Sequence, residues 1–140
     1  MTTEEKQIEL LNRQYTNIEH YKSLRLKIPT LFGGIIIALT GYILNSDNIP
    51  KDANQKFLFA ILILFLGVFG IVTYRFVQNQ YKDIAEDIHY LWSKLKMNGS
   101  DYFKEEKGIL NSKTLAPKIF LTGYLSILIL TLIGIISIFI

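Results

Sequence analysis

Two side chains with metal-binding chemistry lie one helical turn apart in the second half of the chain. Glu86 and His89 form an E-x-x-H pair, and Asp83 and Asp87 are close in sequence. Carboxylate-bridged di-metal bundles use this pair twice, together with two further glutamates, whereas here it occurs once. A metal site would need a second subunit, so the simpler interpretation is a solvated helix face. We therefore expect no metal and no other cofactor.

The sequence also lacks other recognisable catalytic motifs. The chain contains no cysteine, and it has no phosphate-binding loop, nucleophile elbow or zinc-protease motif. We therefore expect that the protein is not an enzyme. Its basic residues are interpreted as determinants of membrane topology and attraction to membrane lipid, and no nucleic acid is expected as a partner.

Three stretches of the chain contain no charged residue, and the remaining segments are positioned by them. They cover 28–45, 57–74 and 119–140. Each is about long enough to cross the roughly 30 Å hydrocarbon layer as a helix. They also lack the ionisable residues that mark proton relays and substrate sites in bilayers, which argues against a coupled transporter. The sequence predicts an all-α integral membrane protein with three transmembrane helices.

A further helix is predicted ahead of the first span. Thr2 and Glu5 have capping-box spacing, which satisfies the exposed N–H groups at a helix start. Apolar residues then recur every three or four positions, so this helix is amphipathic. Pro29 has no N–H group to donate, and we expect a kink or a helix boundary where the helix meets the span.

The second span continues into a helical extension. Apolar residues follow a heptad pattern to Leu95, which predicts one continuous helix over 57–97. The N-terminal helix and the extension each offer an apolar face, and we expect them to form a cytoplasmic antiparallel helical hairpin. The heptad seam is interpreted as a contact with a partner or another subunit, or as internal packing. Its residues are Tyr81, Ile84, Ile88, Leu91 and Leu95.

The chain is predicted to form one membrane unit, 1–140, that crosses the inner (cytoplasmic) membrane three times. The predicted parts are a cytoplasmic helix 3–27, a first span 28–45, an external turn 46–56, a second span with its extension 57–97, a cytoplasmic connector 98–117 and a third span 118–140. Five lysines and arginines lie in 1–27 and eight in 75–118, against two in the turn. Because such residues favour the cytoplasmic side, the N-terminus is predicted inside and the C-terminus outside.

Small and weakly polar residues share a face on each span. Such faces let helices approach closely inside lipid. They are interpreted either as the lining of a narrow pore formed by several copies or as packing surfaces without conduction. The candidate residues are Thr30, Gly34, Ala38, Gly41, Gly67, Gly70, Gly123, Ser126, Gly134 and Ser137.

The run Tyr21-Lys22-Ser23-Leu24-Arg25-Leu26-Lys27 leads into a glycine-containing span, a tight turn, a second span and a long helix. Over about 10–97 this arrangement resembles the SLATT family of small bacterial membrane proteins. The resemblance implies a role in nucleotide-signalling and anti-phage conflict systems, with damage to the membrane by oligomeric pores. The third span departs from the family pattern.

Three functions are compatible with these features. The leading hypothesis is a homo-oligomeric effector that permeabilises or depolarises the inner membrane and is controlled through its cytoplasmic helices by a cytosolic sensor or enzyme. The alternative is a non-conducting scaffold that docks a cytosolic partner at the membrane through the seam. A phage holin is disfavoured by the long cytoplasmic hairpin and the predicted orientation.

Overall fold

The structure is a computed structural model that describes residues 2–45, 50–97 and 112–140. It contains three helices: α1, Thr3–Leu44; α2, Ala53–Met97; and α3, Ser112–Phe139. Over these described ranges there is no strand, which confirms the all-α prediction. Most of the predicted connector, 98–111, and part of the predicted external turn, 46–49, lie outside the described residues.

Helix α1 begins with the capping box that the sequence predicts. The Thr2 amide donates to Glu5 Oε2 at 2.7 Å, and the Glu5 amide donates to Thr2 Oγ1 at 3.2 Å. The helix then runs for 42 residues and includes Pro29. Of the two outcomes expected at Pro29, a helix boundary is therefore wrong. The proline is accommodated because a side chain from α2 replaces the hydrogen bond that it removes, as described below.

Helix α2 is continuous over 45 residues, which confirms the predicted fusion of the second span with its extension. It begins at Ala53, four residues before the predicted start at 57. Helix α3 begins at Ser112, before the predicted start of the third span at 118, and ends at Phe139.

The chain packs as two compact units, and the single membrane unit over 1–140 stays a prediction. Unit 1 comprises Met1–Leu24 and Val77–Phe120, and unit 2 comprises Arg25–Phe76 and Leu121–Ile140. All three helices contribute to both units.

Unit 1 pairs the first part of α1 with the second part of α2. Leu11 and Ile18 are buried on α1, and a longer row of buried side chains lies on α2. That row contains Val77, Tyr81, Ile84, Ala85, Ile88 and Leu95. The Tyr81 and Phe120 rings pack with centroids 5.6 Å apart. The amphipathic faces predicted from periodicity thus form the core of unit 1.

Unit 2 is a bundle of three helix segments. Its core is a cluster of four isoleucines, Ile36, Ile43, Ile63 and Ile138, with Leu39, Phe59, Leu66, Leu130 and Ile135 packed against it. Contacts join Gly70 to Phe32 and Gly67 to Thr131, and Gly134 to both α1 and α2. Residue numbers rise along α1 and α3 as they fall along α2. Helix α2 is therefore antiparallel to the other two segments within unit 2.

The exposed surface of unit 2 is apolar. Among the described residues, every large hydrophobic side chain that is exposed belongs to unit 2, except Leu10 and Tyr90. All three helices are long and apolar enough to cross a membrane. An apolar core with an apolar exterior is typical of a bundle in lipid, where tails can cover the outward side chains. These are the features of a multi-pass membrane protein.

Candidate functional site

The E-x-x-H residues lie on an exposed face of α2 in unit 1. Glu86, His89 and the neighbouring Asp83 and Asp87 are all exposed. Across residues 2–45, 50–97 and 112–140, no group of three histidine or acidic side chains is arranged to hold a metal ion. The described residues therefore form no metal-ligand set that includes Glu86 and His89.

The heptad seam lies inside unit 1. Tyr81, Ile84 and Ile88 are at most 8 % exposed, Leu95 is fully buried, and Leu91 is partly exposed. The internal-packing interpretation accounts for this burial directly.

Four of the candidate small residues make close helix contacts within unit 2. A methyl group added at Gly67 would overlap Thr131, and one at Gly123 would overlap the Tyr74 ring. At Gly70 the added carbon would lie 2.9 Å from Phe32 Cγ, and at Gly134 it would lie 2.9 Å from Thr40 Oγ1. These four glycines therefore allow α1, α2 and α3 to approach one another.

The candidate residues of α1 behave differently. Thr30, Gly34, Ala38 and Gly41 are all exposed, and a methyl group added at Gly34 or Gly41 would meet no atom within 4 Å. The spacing of these residues places them on one side of the helix. We call Thr30, Gly34, Ala38 and Gly41 the α1 small-residue face. It is a flat, uncharged surface that the described part of the chain leaves uncovered.

The hydroxyl groups of the candidate residues bond to their own helices. Thr30 donates to the Leu26 carbonyl at 2.7 Å, Ser126 to Thr122 at 2.8 Å, and Ser137 to Ile133 at 2.7 Å. Both serines are partly exposed. Donation to the carbonyl of the preceding turn satisfies a hydroxyl in an apolar surround and leaves the oxygen able to accept a further hydrogen bond.

One polar contact fastens α2 to α1 where α1 contains its proline. Pro29 has no N–H group, so the Arg25 carbonyl, four residues earlier, lacks its normal helical donor. The Tyr74 hydroxyl donates to that carbonyl at 3.2 Å. The Tyr74 ring is fully buried, and it occupies the space left by the missing side chain at Gly123. A proline, a tyrosine and a glycine from three helices therefore form one junction.

The sequence indicates only part of this junction. Tyr42, Tyr74, Phe120 and Tyr124 near the span ends are expected to anchor the protein at the lipid headgroups. Tyr42 is exposed, but Tyr74 and Phe120 are fully buried, so for these two the expectation is wrong. The position of Pro29 identifies the Arg25 carbonyl as an orphan acceptor, whereas its donor lies 49 residues away.

Two arginines flank the same junction. The Tyr74 and Tyr124 rings meet edge to face with centroids 4.8 Å apart. Arg25 supplies the carbonyl that Tyr74 bonds, and Arg75 follows Tyr74 directly in sequence.

Comparison of the chain with protein-family models, with curated proteins and with solved structures found no match. The chemistry and geometry of the chain itself are therefore the basis for its functional interpretation.

Proposed function

We propose that this protein is a homo-oligomeric effector that inserts unit 2 into the inner membrane and permeabilises it. Unit 1 remains in the cytoplasm, where a sensor or enzyme partner controls assembly. The defence role is taken from the resemblance of 10–97 to the SLATT family.

The distribution of charge in unit 2 supports insertion. Its exterior is apolar, and its described charged residues lie near the segment ends. These residues are Arg25, Lys27, Lys51, Asp52, Lys56 and Arg75. Between these ends, the α1 segment 25–44 is about 30 Å long at 1.5 Å per residue, which matches the hydrocarbon thickness. Insertion would cover the apolar exterior and leave the charged ends at the two interfaces.

The α1 small-residue face is the observation that carries the oligomeric part of the proposal. Inside lipid, the hydrophobic effect does not drive helices to associate. Small residues promote association because they let helix backbones approach closely. The small residues of α2 and α3 are largely used within unit 2, whereas Gly34 and Gly41 have open space beside them. A second copy can pack against this face. In a ring of copies, the Thr30 hydroxyl and the glycine backbone would give the boundary between neighbouring subunits a weakly polar lining.

The scaffold alternative depended on an accessible heptad seam. Four of the five seam residues are buried in unit 1, and no described contact favours a docked enzyme there. The burial of the seam therefore favours the effector proposal over the scaffold.

The absence of cysteine allows a direct test of the proposed topology. We expect Lys51→Cys to react with a membrane-impermeant maleimide in intact cells, because the region between α1 and α2 faces outward in our proposal. Arg13→Cys, on the exposed surface of α1 in unit 1, should react only after the cells are lysed. The cysteine-free parent is the control for background labelling. The opposite pattern would reject the orientation.

Bulk on the α1 small-residue face should abolish permeabilisation. Gly34→Ile places a branched side chain where a second copy would pack, so we expect the oligomer to dissociate to monomers. Membrane potential should then stay at its resting value when the variant is expressed under conditions in which the parent depolarises cells. Oligomer mass in detergent and a potential-sensitive dye provide the two measurements.

Ile35→Phe is the matched control for Gly34→Ile. It adds bulk one residue further along α1, about 100° around the helix from Gly34, on an exposed position. We expect the oligomer mass of Ile35→Phe and its effect on membrane potential to equal those of the parent. Equal behaviour of Gly34→Ile and the parent would contradict assembly through this face. A parent that is monomeric and never depolarises cells, with or without its neighbouring genes, would contradict the effector proposal itself.

A further inference from the structure

We propose that unit 1 of each copy docks head to tail on unit 1 of a second copy of this chain, through two different faces. The inference rests on the membrane insertion and self-association of the proposed function. It adds a second contact to that assembly, between the units that remain outside the membrane. It does not require that the assembly conducts.

The first face lies on α1. Lys6, Glu9, Leu10 and Arg13 line a recess there. They are spaced i, i+3, i+4 and i+7, and four residues so placed on one helix form the hole that receives a side chain of a facing helix. Leu10 is 48 % exposed, although the other three residues are charged. We call these four residues the α1 recess.

The second face lies on α2. Tyr90 is 58 % exposed, and the preceding two turns carry Asp83, Glu86 and Asp87, all of them exposed. Lys94 extends the face by one turn, and its Nζ lies 4.6 Å from the centroid of the Tyr90 ring. We call these five residues the α2 ridge. It has an apolar centre and a net negative charge, whereas the α1 recess has a net positive charge.

Each face contains one of the two large hydrophobic side chains that are exposed among the described residues of unit 1. Arg13 is two residues from the buried Leu11, and Tyr90 is two residues from the buried Ile88. At about 100° per residue, each therefore lies about 160° around its helix from a buried position. The recess and the ridge thus point to opposite sides of unit 1, and one copy can offer them to two different neighbours.

The apolar centres of the two faces lie at the same level of unit 1. Leu10 is 14 residues before Leu24, where α1 leaves the unit, and Tyr90 is 13 residues after Val77, where α2 enters it. At 1.5 Å per residue these positions are about 21 Å and about 20 Å along their helices. Inserted copies share one depth and orientation, so rotation about the membrane normal brings the recess of one copy to the ridge of the next. Such a heterologous contact forms a ring when the rotation closes.

Opposite charges also lie at matching levels. Counted from the same two helix positions, Arg13 is 11 residues along and Asp87 is 10, while Glu9 is 15 along and Lys94 is 17. Each pair of opposite charges is therefore within about 3 Å in level. Lys6 is near the level of Lys94 and has the same sign, so the complementarity is greatest around Arg13.

These charges are available to a neighbouring copy. Within the part of the chain that the structure describes, the ion pair joins Lys22 to Glu19, and neither Arg13 nor Asp87 takes part in one. An exposed pair of this kind contributes little affinity, but it determines which faces meet and in which register. The complementary charges favour a second copy as the occupant of both faces.

The chain contains no cysteine, so introduced cysteines can report the contact. The test uses the full-length chain in the membranes of the cells that express it, treated with a short bis-maleimide and separated by denaturing electrophoresis. We expect Leu10→Cys/Tyr90→Cys to give a ladder of linked multimers. Each single variant should stay monomeric, because each face meets the other face and not its own equivalent. A mixture of the two single variants should give dimers and nothing larger.

Asn12→Cys/Tyr90→Cys is the matched control. Asn12 is exposed and two residues from Leu10, so it lies at a similar level but about 160° around α1. We expect no ladder from this variant. A ladder equal to that of Leu10→Cys/Tyr90→Cys would contradict docking through the recess. Linked dimers from either single variant would indicate a symmetric contact and would also overturn the proposal.

Charge exchange tests the register. In the Leu10→Cys/Tyr90→Cys background, Arg13→Glu should reduce the linked multimers about fivefold, because an exposed pair of opposite charges becomes a pair of like charges. Adding Asp87→Arg should restore them, since the two charges are then exchanged between neighbouring copies. Both positions are exposed, so the fold should tolerate the changes. A failure of Asp87→Arg to restore the ladder would reject this register.

The ladder does not depend on conduction. A ladder in cells that never depolarise would reject the effector proposal and leave the docking of unit 1 intact. An oligomeric parent that gives no ladder would reject the docking and leave association through the α1 small-residue face intact.

Discussion

Gly67→Ala is expected to destabilise unit 2 even though alanine is the better helix former. Alanine in place of glycine normally favours a helix by about 1 kcal/mol. At Gly67 the added methyl group would overlap the Thr131 side chain, with Thr131 Cβ 3.0 Å away. Because a Cβ atom is fixed by its backbone, no rotamer of Thr131 clears the overlap fully, and α2 and α3 must separate. We expect the free energy of unfolding to fall by about 2 kcal/mol, which is typical of overpacking in a tight core.

The control for this prediction is the same substitution on the α1 small-residue face. Gly41→Ala adds a methyl group where no atom lies within 4 Å, so only the helix preference remains. We expect the free energy of unfolding to stay the same or to rise by up to about 1 kcal/mol. Both variants are measured by circular dichroism during denaturation, in micelles dilute enough to keep the protein monomeric. A shift of the same sign in both would show that Gly67 is not a packing position.

The contrast between these glycines marks the limit of what local sequence can predict. The absence of charge over 28–45 and 57–74 identifies helical segments that are long and apolar enough to cross a membrane, and the periodicity after Tyr74 correctly predicts a continuous α2. Both signals arise within one helix. The side of each helix that faces a neighbour depends on how three segments pack together. Gly34 and Gly67 therefore look equivalent in sequence, although one is exposed and the other is buried.

Tyrosine near a span end shows the same limit. The preference of its ring for the headgroup region predicts anchoring for Tyr42 and Tyr74 alike. Tyr74 is buried instead because two other positions, Pro29 and Gly123, create an unsatisfied carbonyl and an empty space that its hydroxyl and ring fill. The orphan carbonyl at Arg25 can be inferred from Pro29, but the donor is known only once α1 and α2 are aligned.

The Tyr74 hydrogen bond leads to a prediction about coupling. Tyr74→Phe keeps the ring that packs on Gly123 and removes only the donor to the Arg25 carbonyl. Because Pro29 supplies no amide to that carbonyl, a partly buried acceptor is left unsatisfied. We expect the free energy of unfolding to fall by about 1–3 kcal/mol, measured by the same denaturation experiment.

The same change should matter much less when the proline is absent. Pro29→Ala restores an N–H group that can donate to the Arg25 carbonyl, so Tyr74→Phe in that background should cost at most about 0.5 kcal/mol. Tyr42→Phe, which removes a hydroxyl from an exposed ring on α1, should have no measurable effect in either background. If Tyr74→Phe lowers the free energy of unfolding equally with and without Pro29, the two residues are not energetically coupled. Strong coupling would instead mean that α1 can remain helical through Pro29 because α2 supplies the missing donor.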